Sequence, residues 1–335
     1  MINEVFKEVF FIAEGADAHY GSLDRAIKMC DFAKNSGASA IKFQHHLPDE
    51  EMLPDVPRSS NMKEPLYEFL KKNALTISQH QKISKHCKEV GIEYLCTPFS
   101  WRAAQELEEF ISPRMYKIGS GEMTDIPTLR LIAGFKKPMI VSTGMAEVSE
   151  IIETYNELID QIPILILMNC TSAYPPKVGD VRLGFIVTMQ NLFPKAVIGH
   201  SDHTNSIYTS LGAIALGAKV IEKHVTIDKS LAGPDQEVSI DFDEFNQMVR
   251  GGQILSKSLG NEKKILDSER EIIQWARRSI VYLKDKEEGE IIESGDVWGK
   301  RPGTGVPSKL INNVLGKKLR KSVKANTLLN LEDLV

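Results

Sequence analysis

The chain has 335 residues, 42% of them apolar, and its 41 Lys and Arg against 45 Asp and Glu leave a formal net charge of −4. That length allows one large α/β domain with a small appendage, and the charge balance offers no electrostatic footprint for nucleic acid or an anionic membrane. The four cysteines form no CxxC pair, the start MINEVFKE carries acids, and no apolar run approaches the roughly 20 residues of a membrane helix. We therefore expect a cytoplasmic globular protein with reduced thiols.

Short apolar runs of β type alternate with amphipathic segments along residues 1–262. In chain order the predicted strands cover residues 9–13, 40–44, 94–98, 115–119, 139–143, 165–170, 196–200 and 220–225. Eight β-then-α units predict a (β/α)8 TIM barrel, and a doubly wound dinucleotide-binding sheet is disfavoured because no GxGxxG motif opens the first helix. The long connection 45–76 predicts a loop with a short helix over one end of the barrel.

The pattern changes after the barrel. Residues 263–277 are charged and predict a helical linker, whereas residues 278–335 consist of short β runs broken by Gly and Pro. The second segment predicts a small β-rich domain, close to the lower size limit for independent stability.

Polar side chains follow the predicted strands at their carboxyl ends, the end that carries the active site in an α/β barrel. They are Glu14, Lys42, Gln44, Thr97, Lys117, Ser120, Glu122, Ser142, Thr143, Asn169, Thr171, Ser172, Ser201, His203, Glu222 and His224. An ammonium group is costly to bury unpaired, so Lys42 and Lys117 on two apolar strands predict an anion site completed by hydroxyls and backbone N–H groups. A phosphorylated or carboxylated substrate fits such a site.

Two histidines are candidates for metal ligands at the same end. His203 follows the seventh strand in GHSDHT and His224 ends the eighth in IEKHVT, so neighbouring strands bring their imidazoles together. Two neutral imidazoles suit a divalent ion such as Mn²⁺, Co²⁺ or Zn²⁺ with open positions for substrate oxygens, and the alternative is a histidine pair without a ligand role. The acidic run 49–51 is interpreted as a solvated loop. The histidines interpreted as solvent or packing residues are His45, His46, His80 and His86.

Further short strings occur in order over essentially the whole chain. They are IAE and HYGSL within residues 12–23, KFQ at 42–44, CTPFS at 96–100, YKIGSGE at 116–122, STGM at 142–145, CTSAYP at 170–175, SDHT at 201–204, EKHVT at 222–226, GPD at 233–235 and KRPGTG at 300–305. In this combination the chain resembles the sialic acid (N-acetylneuraminate) synthase family, phosphoenolpyruvate-condensing nonulosonic acid synthases with a C-terminal, antifreeze-like SAF domain. Ala18 departs from the Asn common in the family, Ser172 stands where some members have Asn, and residues 229–237 differ where substrate choice is expected to lie.

The resemblance implies a site in which His203 and His224 hold a divalent metal, usually Mn²⁺, with Mg²⁺ and Co²⁺ as alternatives. It implies that phosphoenolpyruvate binds to Lys42, Thr97, Lys117, Ser120, Ser172 and Ser201. It implies that an open-chain N-acetylated hexosamine contacts Gln44, Asn61, Glu122, Tyr174, Asp235 and Arg301. Arg301 would reach in from the partner subunit of a domain-swapped homodimer.

These residue types suit an enol phosphate whose C3 attacks an aldehyde while the metal polarises the aldehyde oxygen. Glu14 is the candidate for orienting or deprotonating the water that captures C2. The expected product is N-acetylneuraminate from N-acetylmannosamine, and the alternative is legionaminate or pseudaminate from a 2,4-diacetamido-trideoxy hexose. A non-catalytic sugar-binding homologue and a Schiff-base aldolase using Lys42 or Lys117 are the alternatives of a different class.

Overall fold

The computed structural model describes residues 6–57, 64–230, 233 and 235–335. The chain forms two compact units, Met1–Gly260 and Asn261–Val335. No helix within the described ranges is long and apolar enough to cross a membrane. The cytoplasmic location and the finer domain boundaries 1–262, 263–277 and 278–335 stay predictions.

Eight parallel strands among the described residues of the first unit form a nearly closed barrel, which confirms the predicted fold class. They are β1 (Phe10–Glu14), β2 (Ala40–His45), β3 (Glu93–Pro98), β4 (Tyr116–Ile118), β5 (Met139–Ser142), β6 (Leu165–Cys170), β7 (Val197–Asp202) and β8 (Val220–His224). Hydrogen bonding joins them in the order β3-β2-β1-β8-β7-β6-β5-β4, and β3 lies beside β4 at the seam. This is the order of a chain that winds once around a barrel.

Helices follow the strands on the outside. Those of the first unit are α1 (Leu23–Asn35), α2 (Pro48–Glu51), α3 (Leu66–Asn73), α4 (Ile77–Val90), α5 (Trp101–Phe110), α6 (Ile126–Ala133), α7 (Val148–Leu158), α8 (Phe185–Leu192), α9 (Tyr208–Ala215) and α10 (Phe242–Ser258). Their ends follow local sequence chemistry. Thr76 and Gln79 form a reciprocal capping box at the start of α4, and Gly91 ends that helix with a φ of +74°.

Strand residues alternate between two apolar layers. Ile12 and Ala40 point into the barrel, whereas Phe11, Ala13 and Ile41 pack against the surrounding helices. This period of two is the geometry of a β-strand buried on both faces. The next inward-facing positions along β1 and β2, two residues further on, therefore lie at the carboxyl end of the barrel interior.

The second unit is small and mostly irregular, as the sequence predicts. It contains α11 (Asp267–Ala276) and an antiparallel pair, β9 (Ser279–Tyr282) and β10 (Val297–Lys300). A compact apolar core includes Ile280 and Tyr282.

Gly199 on β7 offers a test of how tightly the barrel wall is packed. A Cβ at this position would press on the Met168 sulfur and lie 2.6 Å from the Val220 carbonyl oxygen, an atom of the neighbouring strand that cannot rotate away. Gly199→Ala should therefore lower the free energy of unfolding by about 1–3 kcal/mol, measured by urea denaturation. Gly184→Ala is the matched control, since a Cβ there meets open space. Equal stability of both variants would contradict this account.

Candidate active site at the carboxyl end of the barrel

Four buried charged side chains meet inside the barrel at the carboxyl ends of β1, β2, β4 and β8. The Lys42 ammonium lies 2.5 Å from Glu14 Oε2 and 3.6 Å from Glu222 Oε1, and the Lys117 ammonium lies 3.8 Å from the same Glu222 oxygen. All four side chains are 5% exposed or less. Two cations and two anions balance, which is the condition for burying them.

The strand register explains why these residues meet. Glu14 lies opposite Lys42 on one side and opposite His224 on the other, and Ser201 lies opposite Glu222. Residues at one level of a parallel barrel with the same inward phase converge on the axis. The sequence named these positions as polar strand ends, and the closed barrel brings them together.

The two lysines differ in their surroundings. Burial opposes the charged form of Lys42, but Glu14 and Glu222 raise its pKa above the ordinary range. Lys42 also donates to Thr97 Oγ1 at 3.2 Å. Burial lowers the pKa of Lys117, which donates to Ser142 Oγ at 2.7 Å. A bound anion beside Lys117 would stabilise its ammonium form.

The two carboxylates differ as well. Burial raises the pKa of Glu14, only partly offset by Lys42. For Glu222, Lys117 and Lys42 overcome the burial effect and hold the pKa below its usual value. Glu222 therefore serves as a fixed counter-charge, whereas Glu14 is the better proton acceptor of the two.

Gly144 lies among polar groups and has no side chain to fill the space between them, and we call this place the Gly144 cradle. Ser120 Oγ accepts a hydrogen bond from the Gly144 N–H at 3.1 Å, and a Cβ on Gly144 would collide with Ser172 Oγ and approach Ser120 Oγ to 2.8 Å. Two hydroxyls and a backbone N–H that converge in this way are suited to phosphate or carboxylate oxygens. Ser201 faces the charged cluster, donating to Glu222 Oε1 at 3.1 Å.

His203 and His224 lie side by side, with ring centroids 5.3 Å apart. His203 Nδ1 is 2.9 Å from the Thr171 carbonyl, so it donates there and leaves the lone pair on Nε2, 3.3 Å from the Tyr174 hydroxyl. Burial lowers the pKa of His224 far below its usual value, and its buried Nδ1 has no hydrogen-bond partner. For His203, Cys170 overcomes the effect of burial and raises the pKa above its usual value. The unpartnered Nδ1 of His224 and the Nε2 lone pair of His203 are the two nitrogens that could bind a divalent metal.

Within the described ranges, no three side chains of His, Cys, Asp or Glu are grouped as a complete metal cage. The nearest carboxylate to His224 Nδ1 is Asp235, whose Oδ2 lies 3.8 Å away. A metal held by these two imidazoles alone would keep most of its coordination positions free for substrate oxygens or water, as in an open catalytic site and unlike a structural one.

A buried ion pair holds the two histidines in register. Asp202 and Lys223, each directly preceding one of the histidines, lie opposite each other on β7 and β8 and are fully shielded from solvent. Asp202 also accepts from Ser210 Oγ at 2.7 Å. Against the effect of burial, Lys223 lowers the pKa of Asp202 to about 2, so this carboxylate stays ionised and fixes the segment that carries His203.

The remaining residues predicted to contact the sugar differ in how far the structure places them at the barrel site. Gln44 donates to Glu14 Oε1 at 3.2 Å, Glu122 has a buried carboxylate oxygen without a partner, and burial raises the pKa of Asp235 to about 7. Asn61 lies outside the described residues. Arg301 belongs to the second unit, where its guanidinium lies 5.3 Å from the ring centroid of Trp275, and its role stays a prediction.

One interpretation of the sequence was wrong. Glu51, part of the acidic run interpreted as a solvated loop, has a side chain only 3% exposed and forms a hydrogen-bonded pair at 2.9 Å with His46, whose ring is buried in agreement with its interpretation as a packing residue. His46 directly follows the polar KFQH strand end, which is the signal that could have included it. Glu51 carries no such signal, because only the short helix α2 brings it back to the barrel.

A barrel with buried lysines, a hydroxyl cradle and paired imidazoles at its carboxyl end defines an enzyme that acts on an anionic, phosphate-bearing substrate. Residues 29–264 match the model of the NeuB family, and residues 277–335 match that of the SAF domain. The chain belongs to the NeuB family and is a phosphoenolpyruvate-condensing nonulosonic acid synthase. Family membership confirms the resemblance and disfavours the Schiff-base aldolase and the non-catalytic sugar-binding protein.

Several relatives match over nearly the full chain. It is 37% identical to a pseudaminic acid synthase of Campylobacter jejuni, over 98% of this chain and 97% of that protein. It is 34% identical to an N,N'-diacetyllegionaminic acid synthase of the same species, over 96% and 99%. Among solved structures, an N-acetylneuraminic acid synthetase from Leptospira borgpetersenii is similar with a TM-score of 0.73 and 31% identity, covering 79% of this chain and 90% of that one.

Lys117 is the residue at which to test the anion site. Lys117→Met removes one ammonium from the cradle and should raise the dissociation constant for phosphoenolpyruvate at least about tenfold, measured by calorimetry, because charge-assisted hydrogen bonds are lost. Lys137→Met is the control, since that ammonium is occupied by Glu108 and Ser112. Unchanged affinity in Lys117→Met would exclude this lysine from the anion site.

Proposed function

We propose that the protein condenses phosphoenolpyruvate with the aldehyde of an open-chain acetamido hexose and water, giving a nonulosonic acid and phosphate by C–O cleavage. The observation that carries the proposal is the buried cluster of Lys42, Lys117, Glu14 and Glu222 beside two imidazoles. Sugar binding alone would not require an anion site of this kind.

In this proposal phosphoenolpyruvate occupies the cluster and the Gly144 cradle. Its phosphate and carboxylate charges bind the two ammonium groups, and rigid strands hold those groups before the substrate arrives. The hydroxyls assigned to the same substrate are Thr97, Ser120, Ser172 and Ser201.

The reaction then needs one carbon–carbon bond and one water. The C2=C3 electron pair of the enol phosphate attacks the aldehyde carbon, whose oxygen becomes a hydroxyl after taking up a proton. Water adds to the electron-deficient C2 and passes a proton to Glu14, the carboxylate whose pKa burial raises. The C2–O bond to the phosphate breaks, phosphate departs with the bridging oxygen, and C2 becomes the ketone carbon.

His203 and His224 would hold a divalent cation, for which we propose Mn²⁺, with Mg²⁺ and Co²⁺ as alternatives. When bound, such an ion supplies Lewis-acid polarisation of the aldehyde oxygen. The chain's own contribution is to keep His224 neutral through burial and to orient the His203 ring through the hydrogen bond of its Nδ1 to the Thr171 carbonyl.

The sugar would lie on the solvent side of this cluster, against Gln44, Glu122, Tyr174 and Asp235. Asn61 and, from the partner of a domain-swapped homodimer, Arg301 complete the proposed contacts. For Gln44, Glu122, Tyr174, Asp235 and Arg301 the support is their place in the family strings, together with the burial of Glu122 and Asp235. For Asn61 the support is the family resemblance alone.

The identity of the acceptor rests on the relatives. The pseudaminic and diacetyllegionaminic acid synthases match over 98% and 96% of the chain at 37% and 34% identity. This favours a 2,4-diacetamido-trideoxy hexose over N-acetylmannosamine, the acceptor expected from the sequence. N-Acetylmannosamine is the second candidate, supported by the structural similarity to an N-acetylneuraminic acid synthetase.

A phosphate-release assay with Mn²⁺ and phosphoenolpyruvate tests both candidates in separate reactions. We expect phosphate release with one of the 2,4-diacetamido hexoses. When the oxygen that bridges C2 and phosphorus in phosphoenolpyruvate is isotopically labelled, the label should appear in the released phosphate. Release with N-acetylmannosamine alone would select the second acceptor. Label retained in the sugar product would contradict C–O cleavage.

The metal assignment is tested on His203. His203→Ala should abolish Mn²⁺-dependent turnover. Binding is measured separately by electron paramagnetic resonance: the wild-type protein should reduce the signal of free Mn²⁺ during a titration, and the variant should not. His86→Ala is the control, because His86 pairs with Asp31 on the outer helices. Full activity of chelator-treated wild-type protein would refute the Lewis-acid role.

A further inference from the structure

A continuous hydrogen-bonded chain runs from the short helix α2 to the candidate water-activating carboxylate. Glu51 contacts His46 Nδ1 through both oxygens, at 2.9 and 3.1 Å, and His46 Nε2 lies 2.9 Å from Gln44 Oε1. The Gln44 amide nitrogen then donates to Glu14 Oε1 at 3.2 Å. The other Glu14 oxygen pairs with Lys42, so both oxygens of this carboxylate are held.

This series of hydrogen bonds from Glu51 to Glu14 is shielded from water for most of its length. His46 is 6% exposed, the Glu51 side chain 3% and Glu14 only 1%. The His46 ring also stacks on Phe99, with centroids 4.3 Å apart and planes 18° from parallel. Solvent therefore cannot substitute for a lost partner without reorganising the site.

Only one assignment of donors and acceptors satisfies every hydrogen bond in this series. Glu51 as a carboxylate only accepts, so His46 Nδ1 donates to it, and the Gln44 carbonyl oxygen only accepts, so His46 Nε2 also donates. The opposite orientation of the Gln44 amide would set its carbonyl oxygen against the Glu14 carboxylate. With Glu14 ionised, the network thus requires His46 as the imidazolium.

The charges around His46 agree with that state. Burial by itself would lower the pKa of His46, but Glu51 on α2, Asp17 after β1 and Glu122 after β4 raise it above its usual value. His45 on β2, His19 after β1 and His80 on α4 are further titratable groups nearby, and burial lowers the pKa of all three, which leaves them neutral.

We propose that His46, anchored by Glu51, is a positioning residue for Glu14. It fixes the Gln44 amide so that the N–H₂ group, and not the carbonyl oxygen, faces the Glu14 carboxylate. Glu14 is thereby held in one orientation toward the site where water attacks C2. This inference rests on the role proposed above for Glu14, and the experiments below separate the two.

His46→Phe keeps a planar ring against Phe99 and removes both N–H donors. We expect kcat to fall at least about tenfold, because misplacement of a catalytic group is costly, with KM for phosphoenolpyruvate unchanged. His45→Phe is the matched control: His45 is the preceding residue, is also buried, and pairs with Glu106 at 3.0 Å on the outer face. Its kcat should be unchanged even where its thermal stability falls.

His46→Gln tests rescue, since the Gln amide nitrogen can replace Nε2 as the donor to Gln44. We expect its kcat to lie between those of the wild type and His46→Phe. Unchanged kcat in both His46 variants, or an equal loss in His45→Phe, would overturn the proposal.

The double variant Glu14→Gln with His46→Phe tests the route of the effect. Because His46 acts through Glu14, the second substitution should cause no further loss of kcat once the carboxylate is gone. A full additional loss would show that His46 acts elsewhere and would refute the inference. If Glu14→Gln alone retains full kcat, the proposed role of Glu14 fails, whatever the His46 variants show.

The protonation state has a readout that needs no turnover. Nitrogen NMR of histidine-labelled protein at neutral pH measures this state, and the His46 signal is identified as the one missing from the spectrum of His46→Gln. In the wild type, both ring nitrogens of His46 should have the chemical shifts of an imidazolium. A neutral ring with one unprotonated nitrogen would contradict the required hydrogen-bond directions, and it would do so even if the Phe variant failed to fold.

Discussion

The buried contact between Lys42 and Glu14 is the interaction on which the site depends. An ammonium and a carboxylate inside an apolar barrel are each several kcal/mol too costly to bury alone, so each is tolerated only while the other is in place. Glu222 and Lys117 extend the pair into a balanced cluster. Because these four residues come from both halves of the chain, only a closed barrel can satisfy them, and the stability of the closed form is thereby coupled to the integrity of the site.

The barrel interior changes character along its axis. Ile12 and Ala40 belong to an apolar inner layer, and two residues further along the same strands stand Glu14 and Lys42. The apolar layer supplies the burial that holds the strands together, and it gives the charged layer a surrounding of low polarizability. In such surroundings fixed charges act on a substrate more strongly than they would in water.

Around the charged layer lies a shell of residues that touch no proposed substrate. Asp202 with Lys223 fixes the segment of His203, and Glu51 with His46 fixes the Gln44 amide. Both devices are buried acid–base pairs that hold a reactive neighbour in one orientation. A condensation with two substrates and a water needs such preorganisation, because a small displacement of any participant removes the alignment.

The sequence by itself determined the architecture and named most of the polar groups that meet at the carboxyl end of the barrel. Alternating β and α patterns predicted the barrel, and strand-end lysines and histidines predicted an anion site beside a paired-imidazole site, since strand direction alone sends these side chains to one end. The tertiary structure decided what depends on closure. It placed Glu222 between two lysines, set Gly144 against two serine hydroxyls, and returned Glu51 from a helix that reads as solvated. These contacts join residues far apart in the chain, and local patterns carry no information about which distant groups will share a buried hydrogen bond.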